Sequence, residues 1–539
     1  VHIETMTLSN ESELIKKYKN HDTNVMSYFD YMPYSTYEER LNDLKKRNFD
    51  RKGLVNVLKH LNSDWNAPIE TMQNIERLKD DKSVVVIGGQ QAGLLTGPMY
   101  TIHKIISLIQ LAKQEEKRLN VPVIPVFWIA GEDHDYDEIN HVYLSEDVKL
   151  IKHQLDQSIE GKPSVSKIPK DDEYITKWLD EVLASLEETA FTKDLSRHLY
   201  EALGKSNNYI DFFSYIIFDL FQDEGIVLMD SAHPEIRQIE KPYFKKMIQH
   251  QEEIAAGVYE TKQQLEQAGF PIMMDTEINS GHLFYEYQNE RLLLERTPEG
   301  DWIDKGENIS LTTEELLNIV EDTPERLSNN VVTRPLMQEC LFPTLAFIGG
   351  NGEISYWSTL KRAFHSLNMK MPPVLPRLSF TLSNAKIKKT LDKLNLTYDI
   401  VLNGETDNYK INWLKAQTNP PIELLVNEVK QTIDMDHKPL RELAQQIRTD
   451  VGQLADANLL RIQREIDFLK QKMSTALEDK YAQQIHAFNF VQNTLYPENS
   501  LQERTWNVVE WVNQHGVQFI SELCNERCSF KDQHYLIEL

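Results

Sequence analysis

Residues 83–113 read SVVVIGGQQAGLLTGPMYTIHKIISLIQLAK, and three signals follow one another in them. The run Val84, Val85, Val86 and Ile87 predicts a buried strand. The glycines that follow predict a tight turn. Pro98 stands near a helix start, and Ile102, Ile105, Ile106, Leu108 and Ile109 keep helical spacing. A second strand run, VPVIPVFWIAG at 121–131, comes next. Strand, helix, strand over so short a span is a βαβ unit, and such units build parallel sheets.

A strand, a glycine turn and a helix in that order place backbone N–H groups against an anion. Gly88 and Gly93 have the separation of a P-loop, but Leu94 and Leu95 stand where Lys and Ser/Thr belong. Gly88 and Gly89 do not make G-x-G-x-x-G either. A third option is the turn of class I synthetases and nucleotidylyltransferases, where imidazoles of an HxGH signature meet phosphates. Here only His103 is present, beside Lys104. The pair would meet phosphate oxygens near the helix N-terminus, with Gly88, Gly89, Gln90, Gln91, Gly93, Thr96 and Gly97 forming the cradle. The alternative is an ordinary turn with His103 packed in the helix.

The rest of the sheet is dispersed. GIVLMD at 225–230, TLAFIGG at 344–350 and PPVLPRLSF at 372–380 predict further strands, and EISYWSTLKRAFHSL a crossover helix. The chain divides into a helical region over 1–80, core parts at 81–145, 206–259 and 331–382, and insertions at 146–205 and 260–330. A helical arm over 383–500 and a segment at 501–539 returning to the core complete it. The second insertion reads as a small meander around Gln288 and Asn289 with a turn at 298–300. In the arm, Leu440, Ala444, Ile447 and Val451, then Leu459, Ile462, Ile466, Leu469, Met473 and Ala476, alternate three and four apart. That spacing predicts two long helices, the first ended by Gly452 and the second spanning about 456–492. Their apolar seam is filled within the hairpin or by a second subunit.

Two further stretches carry chemistry. WIAGEDHDYDEINH, 128–141, follows a strand at its carboxyl end, where open α/β sheets bind ligands. Three uses suit its acids: Asp133 with His134 as a general base, Asp133, Asp135 and Asp137 on a Mg²⁺ ion, or the carboxylates, Asp135 among them, accepting from a substrate ammonium. The same acids also suit a helix first turn. In SNNVVTRPLMQECLFPTLAFIGGNGEISYW, 328–357, Arg334 suits a carboxylate or phosphate, with Asn330 beside it. Gly350 and Asn351 form a second glycine turn, and Tyr356 or Trp357 would cover a base or sugar, Trp357 being equally a core residue. Arg377 ends the last strand.

The bulk numbers bound the partners. At 539 residues the chain is too long for one core. A net charge of −25 with no long basic stripe argues against nucleic acid. No apolar run is long enough to span a membrane. The first residues carry no charged-then-apolar signal pattern, and Cys340, Cys524 and Cys528 form no disulfide framework, so the cytoplasm is expected.

Four strings, GGQQAGLLTGPMYTIHK, PVFWIAGEDHDYDEIN, NNVVTRPLMQE and MPPVLPR, together resemble the cysteine-ligase family of bacillithiol biosynthesis. The likeness covers nearly the whole chain. It implies an α/β fold: a Rossmann-like parallel-sheet core of the class I synthetase and nucleotidylyltransferase kind, with connective-peptide insertions and a long helical coiled-coil arm that makes a homodimer. It also implies a ligase that adds L-cysteine to glucosaminyl malate, with ATP or a related adenine nucleotide activating the carboxylate. Neither HxGH nor a Lys-Met-Ser-Lys-Ser string is present, so the form of the activated intermediate stays open. So do two alternatives: an adenylyltransferase acting on another small amine, and a nucleotide-binding scaffold without turnover.

Overall fold

The computed structural model describes residues 1–539 except 10, 147, 307, 532 and 533. Five parallel strands form the central sheet: β1 (Val84–Gln90), β2 (Val123–Ile129), β3 (Val227–Asp230), β4 (Thr344–Gly349) and β5 (Val374–Pro376). Their spatial order is β5-β4-β1-β2-β3. All seven residues of β2 and the first five of β1 are buried. A parallel sheet covered on both faces demands such continuous apolar runs. Helix α1 (Tyr100–Leu119) covers β1 and β2, and every residue from 101 to 112 is buried. The strand order reverses between β1 and β4, and a ligand crevice opens outside the carboxyl ends at such a reversal.

The run PPVLPRLSF is not one strand. Val374–Pro376 joins the central sheet, whereas Phe380–Ser383 pairs with His534–Glu538, which in turn pairs with His2–Met6. Prolines lack the N–H that a continuous ladder needs, and the chain changes sheets after Pro376. The helical reading of 1–80 therefore missed a first strand. The crossover EISYWSTLKRAFHSL also breaks, into Asn351–Trp357 and Lys361–Ser366. There Thr359 and Leu360 donate to carbonyls only three residues back, at 3.0 and 2.9 Å, which tightens and ends the first helix.

The expected meander is a five-stranded antiparallel sheet that includes Ser280–Tyr287, Glu290–Arg296 and Leu327–Asn329. Gln288 and Asn289 both take positive φ in its hairpin turn.

Contacts divide the chain into two compact units. The larger is Val1–Glu146, Leu150–Ser383 and Gln502–Leu539; the smaller is built mainly from 384–501. In the smaller, Ile422–Ile447 and Thr449–Lys480 lie antiparallel, with Lys430 on Asp467 (2.5 Å) and His437 on Asn458 (3.0 Å). The break falls at Arg448, an extended residue whose guanidinium grips Asp450, and Gly452 lies inside the second helix. That helix ends at Lys480, and Ala482–Leu495 follows as a separate one. Leu459 is buried, but Leu440, Ile447 and Leu469 stay exposed. Among the described residues no helix is long and apolar enough to cross a membrane.

Candidate active site at the carboxyl ends of the central sheet

A cavity of about 320 Å³ lies at the strand-order reversal. Gly89, Gln90 and Gln91 line it from the end of β1, with Trp128, Ala130 and Asp133 from β2 and the bend after it. Gly350, Asn351, Gly352, Glu353 and Tyr356 follow β4, and Arg377 follows β5. Tyr100 and Lys104 of α1, Arg334 and Gln338 of the helix Thr333–Leu341, and Arg504 complete most of the wall.

Lys104 is buried, and its Nζ donates to Gly89 O (2.6 Å), Gln90 Oε1 (3.1 Å) and Glu353 Oε2 (2.6 Å). Glu353 Oε2 also accepts from Gly350 N at 2.7 Å. One carboxylate thus ties α1 to the second glycine turn. Burial pulls the Lys104 ammonium below its usual range, with Glu353 opposing.

The acid-rich bend is held by arginines. Glu132 is buried and accepts from Arg237 and from Arg334 Nε (2.9 Å). Burial works against its charge, yet Arg237 and then Arg334 hold it below the usual carboxylate range. Asp133 accepts from Arg334 Nη2 at 2.5 Å and faces Arg291 Nη1 at 3.5 Å. Arg291 also reaches His134 Nδ1 (3.2 Å) and Asn329 O (2.7 Å), and its guanidinium lies 3.7 Å from the Phe284 ring centre. Burial brings Arg291 down to about 10. Burial, then Arg291, lowers His134.

Of the residues singled out in the sequence, Gly89, Gln90, Gln91, Lys104, Asp133, Arg334, Gly350, Asn351, Tyr356 and Arg377 stand together around the cavity. Others lie elsewhere. Gly88 packs where a Cβ would meet Ile348 O at 2.7 Å. Gly93, Thr96 and Gly97 are in a closed part of the turn, where Asn507 Nδ2 donates to Leu95 O (2.9 Å) and Gly97 O (2.8 Å). His103 is 3% exposed and bonds Glu503 through Nδ1 at 2.7 Å. Asn330 caps a helix start, accepting from Val332 N (2.8 Å) and Thr333 N (3.1 Å). Trp357 stacks on Phe347 with ring centres 4.2 Å apart, in the core. Asp135 and Asp137 are exposed, and Asp133 is engaged by arginine. Among the described residues no group of three or more His, Cys, Asp or Glu side chains is placed to hold a metal ion.

Two family models match the chain: "Bacillithiol biosynthesis BshC, N-terminal Rossmann-like domain" over residues 1–378, and "Bacillithiol biosynthesis BshC, C-terminal coiled-coil domain" over 380–539. The chain belongs to the BshC family of bacillithiol biosynthesis. A relative from Oceanobacillus iheyensis, named "Putative cysteine ligase BshC", is 42% identical over 538 residues, 99% of each chain. One of the same name from Bacillus cereus (strain Q1) is 40% identical over 527 residues, 98% of each chain.

The Rossmann-like core and coiled-coil region expected from the sequence are thus those of the family. Arg504 and its neighbour Glu503 are among the residues that sequence reading missed, as are Tyr100 and Trp128 of the wall and Arg291 on Asp133. Arg504 is exposed, lines the cavity, and among the described residues pairs with no carboxylate. The signal available was QERTW at 502–506, a charged pair beside a tryptophan with no periodicity to draw the eye.

Proposed function

We propose that the chain is a ligase joining the carboxylate of L-cysteine to the amine of glucosaminyl malate, giving bacillithiol, with an adenine nucleotide as the activating reagent. The observation that carries this reading is the charge of the cavity wall. Lys104, Arg334, Arg377 and Arg504 line it. Glu353, Glu132 with Asp133, and Glu503 balance the first three, and among the described residues Arg504 remains the unmatched cation of the wall in a chain of net charge −25. Every participant is anionic or carries a carboxylate, and such a wall concentrates anions.

The wall also fits a nucleotide. Arg504, unpaired, would hold a phosphate, and Tyr100, Tyr356 and Trp128 offer aromatic surface for a base. Such a group supplies a leaving group on an otherwise unreactive carboxylate. The chain's own residues do the rest. Asp133 stands at the wall to accept a proton from the attacking amine, and Arg334, already on Glu132 and Asp133, fixes that carboxylate in place. Lys104 and Glu353 keep the two glycine turns at one spacing. No step is assigned to a metal.

A homodimer through the helical unit belongs to the same reading. Leu440, Leu443 and Ile447 stay exposed after the two long helices have paired, and a second copy would cover them. A reducing cytoplasm suits the three buried free cysteines.

The test mixes the protein with cysteine, glucosaminyl malate and ATP and looks for the thiol by mass, following phosphate and pyrophosphate release. Product is expected, and Arg504→Ala should lower kcat/KM by about 10-fold or more at unchanged melting temperature. A wild-type protein that consumes nucleotide without making product would sink the ligase reading.

A further inference from the structure

Residues 502–507 arrive from the far end of the chain and close one wall of the cavity. Gln502 bonds Leu382 in both directions, accepting from its N at 2.8 Å and donating to its O at 2.9 Å. Trp506 O accepts from Met99 N at 2.8 Å, and Asn507 spans the carbonyls of the first glycine turn. Between these braces sits Glu503, 2% exposed. It accepts from Arg377 Nη1 (2.7 Å) and Nη2 (2.6 Å), from His103 Nδ1 (2.7 Å) and from Ser379 Oγ (2.9 Å). Four donors saturate an ionised carboxylate.

Two consequences follow from chemistry alone. The paired bonds fix the plane of the Arg377 guanidinium, and Arg377 lines the cavity beside Arg504. A carboxylate accepts and never donates, so the proton of the neutral His103 ring must sit on Nδ1, leaving the lone pair on Nε2. Burial keeps that imidazole below its usual pKa, and Glu503 stays well below the carboxylate range despite burial because Arg377 and His103 favour its charge. Burying three ionisable side chains to fill space would be wasteful, since apolar residues of the same volume pack as well without the desolvation cost.

We propose that Glu503 is a positioning residue of the active site: it sets the plane of Arg377 and the tautomer of His103, and through Arg377 the affinity for the anionic substrate. The affinity clause rests on the ligase reading; the orientation clause rests on geometry alone.

Glu503→Gln tests it with a change of one charge and almost no volume. Either placement of the amide turns an N–H against one Arg377 nitrogen and breaks the paired bonds. With the N–H on the Ser379 side, whose hydroxyl can accept, the oxygen still takes the Nδ1–H of His103. In protein carrying ¹⁵N-labelled histidine, with His103 assigned by its own substitution, the ring-nitrogen shifts of the wild type should place the proton of His103 on Nδ1, and Glu503→Leu, which offers no acceptor, should release it to Nε2. In Glu503→Gln, KM for glucosaminyl malate should rise about 10-fold, as expected for a misaligned bidentate cation, with kcat changed much less. Glu503→Asp keeps the charge and should keep the Nδ1–H tautomer, which guards against a Gln variant that folds poorly. A proton on Nε2 of His103 in the wild type overturns the proposal, as does a wild-type KM in Glu503→Gln. If the wild type makes no product, the ligase reading fails by itself, and the nitrogen shifts of the substrate-free protein still decide whether Glu503 orients the site.

Discussion

Two glycine turns stand at the carboxyl edge of one sheet, and they do opposite things. In the first, Leu95, Thr96 and Gly97 take successive positive φ values of 48°, 76° and 69°. Leu95 and Thr96 are buried, and Asn507 caps the turn from outside. In the second, Gly349, Gly350 and Gly352 have no positive φ, and Gly350 to Gly352 line the cavity. Beyond Gln91, which still lines the cavity, glycine serves chain reversal in the first turn, whereas in the second it serves access. A strand, a glycine turn and a helix therefore locate the edge of a site without saying which turn a ligand touches.

The comparison is broken most severely by removing the brace. Asn507→Ala deprives Leu95 O and Gly97 O of their shared donor inside the protein. Each buried group left unsatisfied costs about 1–3 kcal/mol, so a loss of roughly 2–4 kcal/mol in urea unfolding is expected. No residue of the second turn depends on Asn507. If the variant unfolds like wild type, the first turn holds its own shape and the account of it as a braced reversal falls.

Acid should weaken the braced side by a comparable amount. His534 is fully buried, with one ring nitrogen 2.9 Å from Ser379 Oγ and the other 2.8 Å from Thr381 Oγ1. Burial pushes it down to about 4, against 6.5 when unfolded. A group with a depressed cationic pKa favours the folded state above its unfolded value. That advantage shrinks as pH falls from 6.5 and is gone near 4, a change of about 3 kcal/mol. Stability against pH for wild type and His534→Gln should differ in slope across that window. Parallel curves would mean that His534 titrates normally.

How much of this was legible follows from the same contrast. The strands β1 and β2 could be read because a parallel strand buried on both faces is a short unbroken apolar run, and the β-branched residues and flanking glycines of each run set it apart from a buried helix. The acid bend was legible as a place where charge must be compensated, but not its compensation. Arg237, Arg291 and Arg334 come from three separate segments, and only folding brings them to Glu132 and Asp133. His103 misled for a definite reason. Beside Lys104 it resembles a phosphate ligand, yet it lies on a helix buried all round, where an imidazole must find a partner inside the protein. That partner, Glu503, is 400 positions away. The cap of the glycine turn is as distant, 410 positions from Gly97. Local pattern fixes elements, whereas the lids and counter-charges of a site come from sequence-remote segments with no periodicity of their own.

A pair of single substitutions sharpens the difference between the turns. Gly97 has φ 69° and ψ −156°, a conformation essentially confined to glycine. A Cβ there would meet Gly93 Cα at 3.4 Å, an ordinary contact, so the penalty of Gly97→Ala is backbone strain and not crowding. About 1–3 kcal/mol of stability should be lost, with kcat/KM falling only as far as the folded fraction does. Gly352 is in the first turn of a helix, without positive φ, and a Cβ there meets nothing within 4 Å. Alanine suits a helix better than glycine by about 0.5–1 kcal/mol, so Gly352→Ala should melt at or slightly above the wild-type temperature. Its methyl group enters the open turn beside the cavity, so KM should rise several-fold while stability holds. A Gly352 variant with unchanged KM would mean that the second turn, though open, lies outside the path of the substrate. The ligand would then be held from the side of Gln90, Arg377 and Arg504.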